Sequence, residues 1–290
     1  MRTNRLAFRG APAPGGAASV AGVPIRLLGE CRIGTGTSEV ALQYRKGWAV
    51  LAYLAVERGR RHPRTRLAAL LWPDLDERAA LTNLRQVLSN LNRTVATAVG
   101  DGVLQVDRES VRLCPAASAG LFDIDLIDAA GANGTDGALD RRAAAWLADA
   151  GALLEGMGFD GCGEFDEWLV ECRAWLAQRL TAARERMRDA AAAAADWRTA
   201  VALAQQLVAQ DPWDEGHQRA LMRILAEKGE PDLALACYRK LVHRLQGDLG
   251  EMPLRETSEL AERIRCACQR RSAPRLRRTV GAAQLLSLGA

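Results

Sequence analysis

The stretch from Arg45 to Arg93 constrains this chain more than any other, because it holds three successive helical patterns and is followed at once by a hairpin pattern. In the first, Trp48, Leu51, Ala52 and Ala55 recur at i, i+3, i+4 and i+7, which places them on one helix face. Gly59 follows the last apolar turn, where a left-handed residue is often required. In the second, Thr65 is a candidate N-cap, Leu67, Leu70 and Leu71 form the buried stripe, and Pro73 ends the run. In the third, Asp74 and Glu77 have capping-box spacing. Leu81, Leu84, Leu88, Leu91 and Val95 then form an apolar stripe, leaving Thr82, Asn83, Gln86, Asn90 and Arg93 opposite, flanked by Arg78 and Arg85.

Val103 to Val106 and Ser110 to Leu113 alternate around the polar tip Asp107-Arg108-Glu109, a hairpin pattern. Upstream, Ile25 to Ile33 and Glu39 to Leu42 read as strands. Strands, three helices and a hairpin in this order predict a winged helix-turn-helix whose third helix is offered to a DNA major groove. Asn and Gln can pair bidentately with adenine and Arg with guanine. A solvated helix face is the competing account of the same residues.

Charge is segregated along the chain. Residues 1–115 carry 17 basic and 9 acidic residues, residues 116–262 carry 15 and 26, and residues 263–290 carry 7 arginines and no acid. A basic head attracts phosphate and an acidic body is repelled by it. Lys46, Lys228 and Lys240 are the only lysines. A GC-rich genome accounts for most of that arginine bias, though not for its segregation. No segment reads as a membrane span, and residues 1–23 lack the apolar core of a signal peptide. The seven cysteines have no zinc-ligand spacing, so reduced thiols in a cytoplasmic protein and no metal or other cofactor are expected.

From about 138 onward the chain reads as helical, with candidate helices near 139–154, 164–195, 197–210, 214–228, 231–246 and 254–269. Ala200-Leu203-Ala204-Leu207 lines up with Leu233-Ala234-Leu235-Tyr238 at about the period of tetratricopeptide helix pairs, which stack and recognise partners. The expected fold is therefore mainly α, an N-terminal winged helix-turn-helix (α+β) followed by an all-α tetratricopeptide-like repeat domain. The expected organisation is a disordered lead-in over 1–23, the winged helix over 24–115, a linker over 116–138, the helical domain over 139–269 and a basic tail over 270–290. His62, His217 and His243 are far apart in turn or helix contexts, and no catalytic motif is present, so an enzyme is not expected.

Taken together, RKGWAVLAYLA (45–55), HPRTRLAALLWPD (62–74), NLRQVLSNL (83–91), EFDEWL (164–169) and the run from Asp211 to Pro253 resemble bacterial activators of the Streptomyces antibiotic regulatory protein type. These carry an OmpR-like winged helix followed by a bacterial transcriptional activator domain. The polar junction near 131–137 departs from that family's tighter connection, and no P-loop is present, which argues against the ATPase domain of larger members. The resemblance implies promoter repeats in double-stranded DNA as the target, RNA polymerase as a partner, a homodimer, and a nucleoid-associated location. With the helical pattern it makes Arg45, Lys46, Arg64, Arg78, Thr82, Asn83, Arg85, Gln86, Asn90, Arg93 and Arg108 candidates for DNA contact. Asp74, Asp76 and Glu77 become candidates for polymerase contact. Two other readings stay open: a small-molecule sensor using Trp146, Trp168, Trp175, Trp197 or Trp213, and an interaction scaffold without specific DNA targets.

Overall fold

A computed structural model describes residues 23–35, 38–127 and 141–272. The expected lead-in, the second half of the expected linker and most of the basic tail lie outside the described residues. The chain divides into two compact units, Met1–Leu207 and Val208–Ala290.

The first unit opens with a three-stranded antiparallel sheet, β1 (Ile25–Arg26), β2 (Arg32–Thr35) and β3 (Ser38–Glu39), with Ile25 opposite Ile33. Helices α1 (Arg45–Val56), α2 (Arg64–Leu71) and α3 (Glu77–Val99) follow. The wing is the hairpin β5 (Leu104–Val106) and β6 (Ser110–Leu113), and β4 (His62–Pro63) pairs with β6 to give the order β4-β6-β5. His62 is thus a strand residue opposite Val111, not a turn or cap residue.

Helix α1 is buried on more than the one face its pattern indicates: Trp48 to Ala52, Leu54 and Ala55 are all in the core. A Cβ at Gly47 would lie 2.1 Å from Leu42 Cδ2, so any larger residue there requires the Leu42 side chain to turn aside. Gly59 has φ +87°, as its place after α1 predicts. Helix α2 starts at Arg64, one residue before the expected cap Thr65, behind Pro63, whose fixed φ suits the entry. The N-cap of α3 is Asp76, whose Oδ1 accepts from the Ala79 main-chain N–H at 2.9 Å. Asp74 lies two residues too early to close the capping box its spacing suggests.

The segment expected to be a linker is, where described, part of the core. It forms the short helix α4 (Pro115–Ser118) and a 3-10 turn, Asp123–Asp125. Phe122 and Ile127 are fully buried. The Asp123 carboxylate accepts from the main-chain N–H groups of Leu27 and Leu28, both at 2.9 Å. Burial pushes this carboxyl up to about 6 despite those donors. Arg58 pairs with Asp125 at 3.0 Å and lies over the Phe122 ring.

Helices α5 (Arg141–Asp149), α6 (Gly163–Ala193) and α7 (Trp197–Gln210) follow. The inner face of α6 buries Phe165, Trp168, Leu169, Cys172, Leu176 and Leu180 in the same hydrophobic core as the winged helix. An aromatic series crosses that junction, with centroids 5.1 Å apart for His62 and Tyr53, 4.9 Å for Tyr53 and Trp168, and 5.2 Å for Trp168 and Phe165. Leu154 N–H donates to Leu27 O, and Gly29 N–H to Ala152 O. The winged helix therefore does not hang from a tether over this part of the chain. Arg184, buried on α6, donates to Leu147 O at 2.7 Å and Ala150 O at 2.6 Å, satisfying carbonyls at the end of α5.

The second unit contains α8 (Glu215–Lys228), α9 (Pro231–Arg244), a π turn (Leu245–Leu249) and α10 (Arg255–Ser272). Asp214 caps α8 through His217 N–H, and Gly229 ends it in the left-handed region at φ +97°. The helix pairs repeat as expected, but the register differs. Ala200, Leu203, Ala204 and Leu207 are buried, and their counterparts are Ala234, Cys237, Tyr238 and Leu241, an offset of about 34 residues. Leu233, placed in the repeat stripe by the sequence pattern, is 53% exposed. His217 is buried and His243 exposed, and Trp213 is exposed whereas Trp168 is buried and Trp146, Trp175 and Trp197 are half-buried.

Candidate nucleic-acid interface

Helix α3 is amphipathic over its whole length. Ala80, Leu84, Val87, Leu88, Leu91 and Val95 face the core. The side opposite carries Arg78, Thr82, Arg85, Ser89 and Arg93, all exposed, at spacings of four, three, four and four residues. Gln86 is exposed beside this stripe, while Asn83 is half-buried. Among the described residues no carboxylate engages Arg78, Arg85 or Arg93. Their guanidinium groups are thus available for an external acceptor. Thr82 Oγ1 donates back to Arg78 O at 2.9 Å.

Asn90 does not belong to this face. It is 7% exposed, and its Oδ1 accepts from Gln43 N–H at 3.3 Å, fixing the loop that leads into α1. The sheet and the segment before α1 cover that flank of α3, so the exposed face is rotated away from Asn83 and Asn90 and toward Arg78 and Arg85. Ser89 takes the place the sequence pattern gave to Asn90. The heptad-like series from Arg78 through Arg85 to Ser89 was the signal that could have found it.

Lys46 is also removed from the set of candidate contacts. It is half-buried, donates Nζ to Leu71 O and lies 4.8 Å from the centre of the Trp72 ring. Arg45 is exposed at the start of α1 and donates to Gly158 O at 3.3 Å. Both hold the winged helix together or hold it to the helices that follow. Arg66 does likewise, forming a two-point ion pair with Glu164, as does Cys162, whose thiol meets Leu71 O at 3.2 Å.

The wing gathers a second group of arginines. Arg108 is exposed at the tip, and Arg64 at the base donates to Asp107 O at 3.4 Å. Arg61 lies 3.6 Å from Asp107, and Arg112 donates to Gln105 at 2.8 Å. The sequence pattern singled out neither Arg61 nor Arg112, since only strand pairing brings 61–64 beside 105–112. Asp107 organises the tip: Oδ1 accepts from Glu109 N–H at 2.9 Å and Ser110 N–H at 2.6 Å, and Oδ2 from the Ser110 hydroxyl at 2.8 Å. These donors hold its carboxyl below the usual range. Arg61, Pro63, Arg108 and Ser110 line a shallow groove beside it.

Asp74, Asp76 and Glu77 are exposed on the turn between α2 and α3, together with the 42% exposed Leu75. Of these, Asp76 is also committed as the cap of α3. The Asp74 carboxylate sits close to Gly161, 3.3 Å from where a Cβ would stand.

The family described as the bacterial transcriptional activator domain matches residues 122–265. Over these residues, just under half of its length, the chain carries the activator domain of a family of transcriptional regulators. No curated protein matches. Among solved structures, Mycobacterium tuberculosis EmbR in complex with a low affinity phosphopeptide is similar, with a TM-score of 0.58 and 23% identity over 84% of this chain. The chain spans 65% of the length of that protein, and at this identity the likeness is one of fold. It supports a mainly helical fold with a small N-terminal sheet region first and helical repeats after. The activator family is not an enzyme family. Among the described residues, no helix of this activator-domain protein is long and apolar enough to cross a membrane.

Proposed function

We propose that this regulator binds promoter DNA through α3, placing Arg78, Thr82, Arg85, Ser89 and Arg93 in a major groove. The observation that carries this is the exposed arginine stripe, free of carboxylate partners, on the helix that follows the turn of a winged helix. Gln86, at the stripe's edge, is a base-reading candidate, and arginines can pair bidentately with guanine. Arg108, Arg61 and Arg64 on the wing contact phosphates and set the register of the head on the duplex. The exposed turn Asp74 to Glu77 meets RNA polymerase, and the regulator acts as an activator, a homodimer on repeated half-sites.

The test is selection of genomic fragments by the full-length protein, followed by titration of the enriched site against a scrambled duplex. Arg85→Ala is expected to cost about 1–3 kcal/mol at the enriched site and much less on the scrambled one. Equal losses on both duplexes would assign Arg85 to backbone contact, and no enriched motif at all would overturn sequence-specific recognition.

A further inference from the structure

One end of the C-terminal unit exposes a group of large apolar side chains. Trp213, Leu249, Met252 and Leu254 are 47, 55, 67 and 54% exposed. Hydrogen bonds bring their three segments together: the turn into α8, the π turn after α9 and the turn into α10. Arg244 and Gln218 both donate to Pro212 O, and the Glu215 carboxylate accepts from Leu254 N–H at 2.9 Å. Gln246 reaches Met252 Sδ at 3.0 Å, and Glu251 N–H donates to Leu245 O. An apolar cluster of this kind, rimmed by polar groups, marks an interaction surface.

We infer that this patch docks a short, basic, amphipathic helix of another protein. Size favours a short segment over a second copy. Four side chains, each about half exposed, offer on the order of 400 Å². A stable dimer buries about 800 Å² on each partner. A few apolar anchors on one helix face match the smaller area. Charge favours a basic occupant. Residues 211–219 and 244–257, which carry the patch, hold the acidic residues Asp211, Asp214, Glu215, Asp248, Glu251 and Glu256 against three arginines. Those arginines are already engaged: Arg219 with Thr257 Oγ1, Arg244 with Pro212 O, and Arg255 with Glu259 at 2.7 Å. Asp248, Glu251 and Glu256 are exposed, and among the described residues no cationic side chain pairs with them. Asp211 and Glu215 accept from main-chain N–H groups, which bring no net charge to cancel theirs. Nucleic acid or an anionic membrane would be repelled here. Two copies meeting through this same patch would bring like-charged rims together. A helix with leucine-like anchors on one face and Lys or Arg at its edges satisfies both the apolar centre and the acidic rim.

Two synthetic helical peptides test the proposal with the full-length chain, one built of leucine and lysine, the other identical but with glutamate in place of lysine. Calorimetric titration is expected to show the lysine peptide binding saturably, one per chain, roughly tenfold tighter than the glutamate peptide, and more weakly as salt rises. The double variant Leu249→Asp, Met252→Asp should weaken it by about tenfold again. The double variant Asp248→Lys, Glu251→Lys changes exposed side chains only, so its urea midpoint should stay in place while its preference turns to the glutamate peptide. That reversal separates docking from the general adhesiveness of leucine-rich peptides, and it decides the matter even if the apolar variant folds poorly. No binding, equal binding of the two peptides, or a preference that survives the charge reversal would overturn the proposal. So would self-association of the peptide-free chain that Leu249→Asp, Met252→Asp abolishes, which would assign the patch to a second copy.

Discussion

Removing the Asp123 carboxylate should uncouple the first sheet from the segment that enters the activator domain. This side chain is 1% exposed and accepts from two consecutive main-chain N–H groups, Leu27 on one oxygen and Leu28 on the other. In Asp123→Ala both donors lose their acceptor inside the core. Each buried unsatisfied group costs about 1–3 kcal/mol, so a loss of about 2–5 kcal/mol is expected. Asp123→Asn keeps one acceptor and turns an amide N–H toward the other donor, and should cost about half as much. The pH dependence is separate and has a fixed sign. The carboxyl titrates near 6 when folded against a model value of 3.8. Between those values the folded state holds a proton that the unfolded state has released. Stability from this group is thus greatest below the unfolded value, falls as pH rises to about 6, and is level above it. The separation corresponds to about 3 kcal/mol, an upper figure for a strongly desolvated group. Urea unfolding followed by tryptophan fluorescence, at several pH values from 4 to 8, measures all three proteins. The wild-type minus Asn difference should shrink, and can reverse, as pH rises from 4 to 6. A pH-independent difference, or a loss under about 1 kcal/mol for Asp123→Ala, would refute the clamp.

Three further outcomes separate structural from recognition roles. Lys46→Met keeps the packing on Trp72 and loses the bond to Leu71 O; the slope of DNA affinity against salt should not change, whereas loss of a phosphate contact would flatten it by roughly 0.9. Asn90→Ala removes the acceptor of the part-buried bond from Gln43 N–H, so calorimetry should show a loss of about 0.5–1.5 kcal/mol in stability, and a selective loss of affinity at the cognate site would contradict that role. Arg184→Lys cannot reproduce a planar fork spanning Leu147 O and Ala150 O; unfolding should become easier by about 1–3 kcal/mol, and an unchanged midpoint would show that one carbonyl suffices.

Periodicity made the helices of this protein legible, and it singled out α3 as an amphipathic helix with an exposed polar face. It could not fix the rotation of α3 within the fold. Asn90 and Arg85 lie on flanks of α3 that the pattern cannot tell apart as polar positions, and what separates them is the loop at Gln43, which is distant in sequence. Lys46 was misread for a similar reason: a basic residue at the start of a helix is a phosphate contact or a tie to Leu71 O depending on where α2 ends. The capping box failed locally, because Asp74 and Asp76 offer equivalent carboxylates and the turn after Pro73 decides between them. The expected linker failed because Asp123 and Asp125 look like solvent residues in sequence. Their partners, Leu27, Leu28 and Arg58, come from elements far upstream.

Those upstream partners change what the activator architecture implies. The winged helix and the helices through α7 share one hydrophobic core, crossed by the series His62, Tyr53, Trp168 and Phe165. His62 sits in β4, hydrogen-bonded to the wing, and Trp168 sits on α6 of the activator domain. On the other side of the same junction, Leu71 O, the carbonyl of the last residue of α2, is met by Lys46 from the winged helix and by Cys162 from the segment entering α6. A displacement of α6 relative to α1 must therefore be accommodated at the wing base and at the α2–α3 turn together, because close-packed interiors transmit strain rather than absorb it. If DNA is held by α3 and the wing and polymerase by the turn, both contacts rest on one packed junction, and substitutions at Tyr53 or Trp168 should alter them in parallel.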